Sequence, residues 1–168
     1  MKKLMMILLS TVLLMGSAYG RELSPYPGGA TPPLALKDLS GKLHKLENYR
    51  GKVVLINFWA TWCPPCRAEM PSMQRLKEAM AGKPFVILAV DMGETEQDVK
   101  AFLEEVKVDF PILMDKDGKA LNAWKVFAFP TSYVLDPKGK IRYGLHGSTE
   151  WDGSDAMGKI KALLPPEK

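Results

Sequence analysis

Two rhythms of hydrophobic positions run through this chain. Near-continuous apolar runs at residues 53–58 and 85–90 read as strands buried on both faces. Elsewhere apolar residues return at helical spacing. Met70, Met73, Leu76 and Met80 lie along a helix-forming stretch from Arg67 that stops at Gly82-Lys83-Pro84. Val99, Phe102, Leu103 and Val106 recur at i, i+3, i+4 and i+7 behind Thr95-Glu96-Gln97-Asp98, which has the form of a capping box. Shorter segments complete the pattern. Residues 34–37 and 43–46 flank Asp38-Leu39-Ser40-Gly41 as a hairpin, 111–114 read as a short strand and 119–125 as a short helix. Residues 131–135 and 140–145 form a second hairpin around Asp136-Pro137-Lys138-Gly139, and a last helix spans about 150–164 before Pro165-Pro166. Strands alternating with helices, then a hairpin and a terminal helix, predict an α/β fold with a central mixed sheet flanked by helices.

The ends depart from this pattern. Residues 1–20 have a basic start at Lys2 and Lys3, an apolar stretch from Leu4 to Met15, and Ala18-Tyr19-Gly20 as a small-x-small cleavage site. They read as a signal peptide. The stretch is short for a membrane span, and Ser10, Thr11, Gly16 and Ser17 dilute it, so cleavage is favoured over an uncleaved anchor. Residues 21–33 carry four Pro and two Gly without apolar periodicity and read as a flexible tail. The domain is then 34–168. Removing the signal leaves 148 residues, enough for one domain with a sizeable core. It also lowers the formal charge from +4 to +2, and no basic run stands out, so nucleic acid is not an expected partner.

The chain has two cysteines, in the run Trp62-Cys63-Pro64-Pro65-Cys66 between the first buried strand and the first helix. Two thiols spaced by two residues at such a junction can close into a small disulfide and reopen. The helix N-terminus favours the thiolate of the first one through its unpaired N–H groups and partial positive charge. The thiolate is the form that attacks a disulfide. A purely structural disulfide would usually close a longer loop. A zinc site wants four Cys/His ligands, and His44 and His146 are each isolated in sequence. A redox dithiol fits best, with no metal and no cofactor beyond the disulfide itself.

These residues resemble the thioredoxin superfamily, and within it the exported TlpA/ResA/DsbE branch, over essentially the whole chain from about Leu34. The stretch 57–66, NFWATWCPPC, has the family's aromatic–Cys–x–x–Cys form, and Pro71 falls where the superfamily interrupts its active-site helix. Phe129-Pro130-Thr131 is similar to the superfamily's cis-proline segment, and residues 92–116 to the branch's strand–helix insert. The resemblance implies a thioredoxin-like fold with an N-terminal hairpin and a central insert. It implies substrate-binding roles for Trp62, Pro64, Pro65, Phe129, Pro130 and Thr131. Cytosolic thioredoxin has a buried aspartate six residues before its first cysteine, where this chain has Asn57, and an amide cannot take a proton. Glu69, three residues after Cys66 as in the ResA-like members, and Glu94 in the insert are the carboxylates implied to support proton transfer.

Cys63 is expected to attack and Cys66 to resolve. The resemblance implies a periplasmic, monomeric reductant of disulfides in exported proteins, possible cytochrome c maturation among its roles, re-reduced by a membrane-embedded thiol reductase. Two other readings stay open. A thiol peroxidase usually has Thr three residues before its cysteine, where this chain has Ala60. A Cu(I)-binding module would use the two soft thiolates but finds no methionine or histidine cluster nearby. Trp124 and Trp151 read as packing residues.

Overall fold

The computed structural model describes residues 21–166. The signal-peptide reading of 1–20 lies outside the described residues. Chain order is β1 (Ser24–Pro25), β2 (Ala35–Lys37), β3 (Leu43–Lys45), a 3-10 turn (Leu46–Tyr49), β4 (Val53–Trp59), α1 (Pro64–Ala79), β5 (Phe85–Asp91), α2 (Glu96–Glu105), β6 (Ile112–Met114), α3 (Lys119–Ala123), β7 (Thr131–Leu135), β8 (Ile141–His146) and α4 (Ser154–Lys161). The main sheet has the order β1-β8-β7-β4-β5-β6. β4 runs parallel to β5 and β5 to β6, whereas β7 is antiparallel to both β4 and β8. The sheet is therefore mixed, and β2–β3 form a separate hairpin. These elements make a thioredoxin-like fold.

Strand parity decides what each face carries, because successive side chains point to opposite sides. On β4, Val53, Leu55 and Trp59 enter one core with Met70, Met73 and Leu76 of α1, Val99 and Phe102 of α2, and Ile160 of α4. Val54, Ile56 and Phe58 enter the other, with Trp124, Val126 and Leu34. The same parity sends Asn57 and, on β7, Ser132 to the α1 face, where both are wholly buried. Two polar groups are thus set under the active-site helix by their position in a strand. The methionine stripe of α1 is core.

The sequence reading of 21–33 as a flexible tail needs correction at its start. Leu23 is 2 % exposed and sits in the α1-side core, Ser24 and Pro25 pair with Gly144 and Tyr143, and the Tyr26 N–H donates to the Arg142 carbonyl at 2.9 Å. Lys159 on α4 donates to the Leu23 carbonyl at 2.9 Å. Two prolines hid this strand, since proline is confined to sheet edges and β1 is an edge. Leu23→Ala is expected to cost about 2–3 kcal/mol in urea unfolding, as for other buried leucines; an unchanged midpoint would return the segment to tail status. The last helix is also shorter than its sequence suggests. A turn from the Glu150 carbonyl to the Gly153 N–H (3.0 Å) precedes it, and Trp151 is buried in the core.

Candidate active site

β4 delivers the chain to the helix through Ala60, Thr61 and Trp62. α1 then begins at Pro64, earlier than the apolar pattern indicates, with Pro64 and Pro65 at its first two positions and Cys63 as its N-cap. Proline suits the first turn, where its missing N–H would have had no intrahelical partner. Cys63 and Cys66 are joined in a disulfide with Cα atoms 5.3 Å apart. The Cys66 N–H points at the Cys63 sulfur at 3.3 Å. In this oxidised state Cys63 is 3 % exposed against 0 % for Cys66, because both pack in the α1-side core.

The Phe129–Pro130 bond is cis. Trp62 is 63 % exposed and meets Phe129 edge-on, ring centroids 6.0 Å apart. A cleft of about 620 Å³ opens beside them, lined by Pro65, Glu69, Phe129, Pro130, His146 and Thr149 among others. Pro65 lines the cleft and is exposed, and Pro64 is exposed next to it in the chain. Thr131 does not offer its side chain to a ligand. It is wholly buried, and its hydroxyl donates to the Ala128 carbonyl at 2.8 Å and lies 3.1 Å from His146 Nδ1, closing the loop before β7.

Glu69 is the most unusual group in the cleft. It is 2 % exposed, and its carboxylate accepts from Asn57 Nδ2 (2.8 Å), Trp151 Nε1 (3.1 Å) and the Thr149 N–H (3.3 Å). Burial pushes its pKa up to about 7, against the three hydrogen bonds, which pull it down. Asn57 Nδ2 also donates to Ser132 Oγ at 2.9 Å, while its Oδ1 has no partner. Glu69 lies one turn beyond Cys66 on the same helical face. The structure therefore groups Cys66, Glu69, Asn57 and Ser132 under α1.

Glu94 is elsewhere. Its two carboxylate oxygens accept the Thr61 N–H at 2.6 Å and the Thr61 hydroxyl at 2.5 Å, on the β5 side of the loop that leads to Cys63. Both of its oxygens are thus engaged by the loop before Cys63.

Four contributors escaped sequence reasoning. Trp151 supplies an N–H to Glu69 from 82 positions away, and Thr149 a backbone N–H from 80. His146 lines the cleft and carries the exposed Phe127 ring stacked on it, centroids 5.7 Å apart. Arg21 also lines the cleft and donates to the His146 carbonyl at 2.7 Å. Its side chain lies against Gly147, where a Cβ would come within 2.9 Å of Arg21 Cδ and where φ is +110°. The positive φ is what favours glycine there, since the Arg21 side chain could shift aside.

Residues 27–144 match the AhpC/TSA family, most of the described chain. The chain belongs to that family. It is 39 % identical over 135 residues to a thiol-disulfide oxidoreductase ResA of Geobacillus thermodenitrificans, covering 80 % of this chain and 78 % of that one. Among solved structures it is similar to a putative thiol:disulfide interchange protein DsbE from Chlorobium tepidum, with TM-score 0.75 and 31 % identity over 83 % of this chain and 99 % of the other. It is also similar to the pneumococcal exposed lipoprotein thioredoxin of Streptococcus pneumoniae, with TM-score 0.66 and 29 % identity over 78 % and 99 %. With the Cys63–Cys66 pair in place, the chain is a thiol–disulfide oxidoreductase of the ResA/DsbE type.

Proposed function

We propose that the protein is an exported reductant of disulfides in extracytoplasmic proteins, with the disulfide of an apocytochrome c as one candidate substrate. The observation that carries the direction of electron flow is the start of α1. Of the first three helical residues only Cys66 has an N–H, and it is the one donor to the Cys63 sulfur among the described bonds. Strong oxidants of this chemistry stabilise their attacking thiolate heavily. A single N–H donor is a weak set, which favours the disulfide over the dithiol and makes the reduced protein a donor of electrons.

In this reading the Cys63 thiolate attacks a substrate disulfide. One substrate sulfur leaves as a thiolate, and Cys63 is left in a mixed disulfide. Cys66 passes its proton to the Glu69 carboxylate and attacks Cys63 Sγ, expelling the second substrate thiolate and closing the Cys63–Cys66 bond. Glu69 is suited to this because a base that titrates near neutrality is present in both forms at working pH. Pro130, Phe129 and Trp62 line the groove in which the substrate chain lies. No cofactor other than the dithiol takes part, the protein acts as a monomer, and a membrane-embedded thiol reductase restores the dithiol.

Export is supported by the composition of residues 1–20 and by the likeness to an exposed lipoprotein. The peroxidase alternative loses support from Thr61. Its hydroxyl is one position away from where that chemistry usually has it, and it is bonded to Glu94.

Equilibration with glutathione tests the direction. The expected reduction potential is nearer about −270 mV than about −120 mV. A value above about −160 mV would reverse the flow and make the protein an oxidant.

A further inference from the structure

Asp91 ends β5 opposite Trp59 of β4 and is wholly buried. By parity it faces the α1 side with Ile87 and Ala89. Its Oδ1 accepts the Glu94 N–H at 2.9 Å, and its Oδ2 is buried with no donor to satisfy it. Glu94, whose own N–H makes that bond, also carries a carboxyl close enough to oppose the ionisation of Asp91. Gly93 makes the contact possible. Its φ of +87° turns the chain back, and a Cβ there would come within 3.3 Å of the Asp115 carbonyl.

Ionising a wholly buried carboxyl beside a second carboxylate is costly. A single shared proton resolves the conflict, and the orphaned Asp91 Oδ2 is the oxygen that lacks a hydrogen-bonding role. We propose that Asp91 retains a proton on Oδ2 and donates it in a hydrogen bond to the Glu94 carboxylate, and that this acid pair positions the loop before Cys63 by fixing Glu94 against Thr61. Glu94 then accepts from Asp91 and from both donors of Thr61, which its lone pairs allow. Thr61 is two residues before the attacking sulfur. Asp91 and Glu94 are positioning residues, since they act through Thr61.

Burial, and then the Glu94 carboxyl, raise the Asp91 pKa well above the usual carboxylate range. The other charged groups on the surrounding elements have partners of their own. Arg67 on α1 pairs with Glu105, Glu96 on α2 with Lys116, and Asp98 bonds Thr95. Asp115 after β6 caps α3 through the Ala120 and Leu121 N–H groups. When rising pH removes the shared proton, the two anions repel. Glu94, the more exposed partner, turns toward water, and Thr61 loses both acceptors.

The test uses oxidised full-length protein carrying Glu69→Gln, so that the other carboxyl titrating near neutrality is absent. Infrared spectroscopy at about neutral pH should show the carbonyl band of a protonated carboxylic acid. The band should vanish on adding Asp91→Asn, and also on adding Glu94→Gln, whose amide donates to an ionised Asp91. No band before these changes, or a band that survives Asp91→Asn, would overturn the shared proton. The positioning role is read separately in reduced Asp91→Asn, whose amide N–H holds Glu94 at every pH. Its rate of attack on 5,5′-dithiobis(2-nitrobenzoate) relative to wild type should rise from about one at pH 6 to about tenfold at pH 9, the worth of a charge-assisted hydrogen bond to the loop. A ratio that stays at one across that range would overturn positioning. This second arm rests on Cys63 as the attacking thiol; the infrared arm does not.

Discussion

Cys63→Ser is expected to abolish disulfide exchange, whereas Cys66→Ser still attacks once and stops at the mixed disulfide. The asymmetry follows from where the helix starts. Cys63 is the N-cap, so its sulfur receives the Cys66 N–H and the partial positive charge of the helix end. Cys66 is one turn in, wholly buried, and has Glu69 beyond it on the same face. A buried thiol one turn inside the helix is less accessible to substrate than the N-cap thiol, which suits a group that acts second. Incubating each variant with a disulfide-bonded substrate peptide and analysing intact mass under non-reducing conditions checks the assignment. The Cys66→Ser adduct should accumulate stoichiometrically and Cys63→Ser should yield none. Adducts on Cys63→Ser in place of Cys66→Ser would exchange the roles. In the native host, the Cys66→Ser adducts would also identify the substrates and the electron donor.

The fold was legible because its strongest signals are local. The run at 53–58 could only be a strand buried on both faces, and the stripe Val99, Phe102 could only face a core once Thr95 capped α2. Cys63, Cys66 and Pro130 were legible for the same reason, each sitting in a short motif. The network around Glu69 was not. Its donors come from β4, from the loop after β8 and from Trp151, and no spacing in the sequence links them. An indole gives no sign in sequence whether its N–H will be buried against a carboxylate or against nothing. Trp59 and Trp151 are both wholly buried, yet Trp59 Nε1 has no partner while Trp151 Nε1 holds Glu69. Glu94 was found by its motif, but its bonds to Thr61 were not legible, because 33 positions separate the two residues. The strand at Ser24–Pro25 was missed because two-residue edge strands leave almost no periodicity to read.

Glu69→Gln should produce the second large effect, and it separates catalysis from stability. The side chain keeps its shape and loses its proton site, so the resolving step should slow by about a hundredfold, the lower range for a general base. The initial attack by Cys63 should be little changed, and mixed disulfide should build up transiently in rapid-quench experiments. Stability should move the other way at neutral pH. The folded-state pKa of about 7 lies above the unfolded value of 4.5, so the native state holds this proton more tightly than the unfolded chain does. Stability from this group is therefore fully present below about pH 4.5 and is lost as pH rises to about 7, by about 3 kcal/mol in total. Urea unfolding of the oxidised wild type across that window should show the decline, and Glu69→Gln should remove most of it. What slope remains belongs to Asp91, whose pKa is raised in the same sense. Asp91→Asn in the Glu69→Gln background should flatten it further. The variant still forfeits part of the bonding to Trp151 and Thr149, since an amide has one acceptor oxygen where the carboxylate has two. Its gain at pH 8 should accordingly be smaller than the wild-type decline. An unchanged wild-type pH profile of both unfolding and resolution in Glu69→Gln would leave Glu69 as a packing residue and send the Cys66 proton to water.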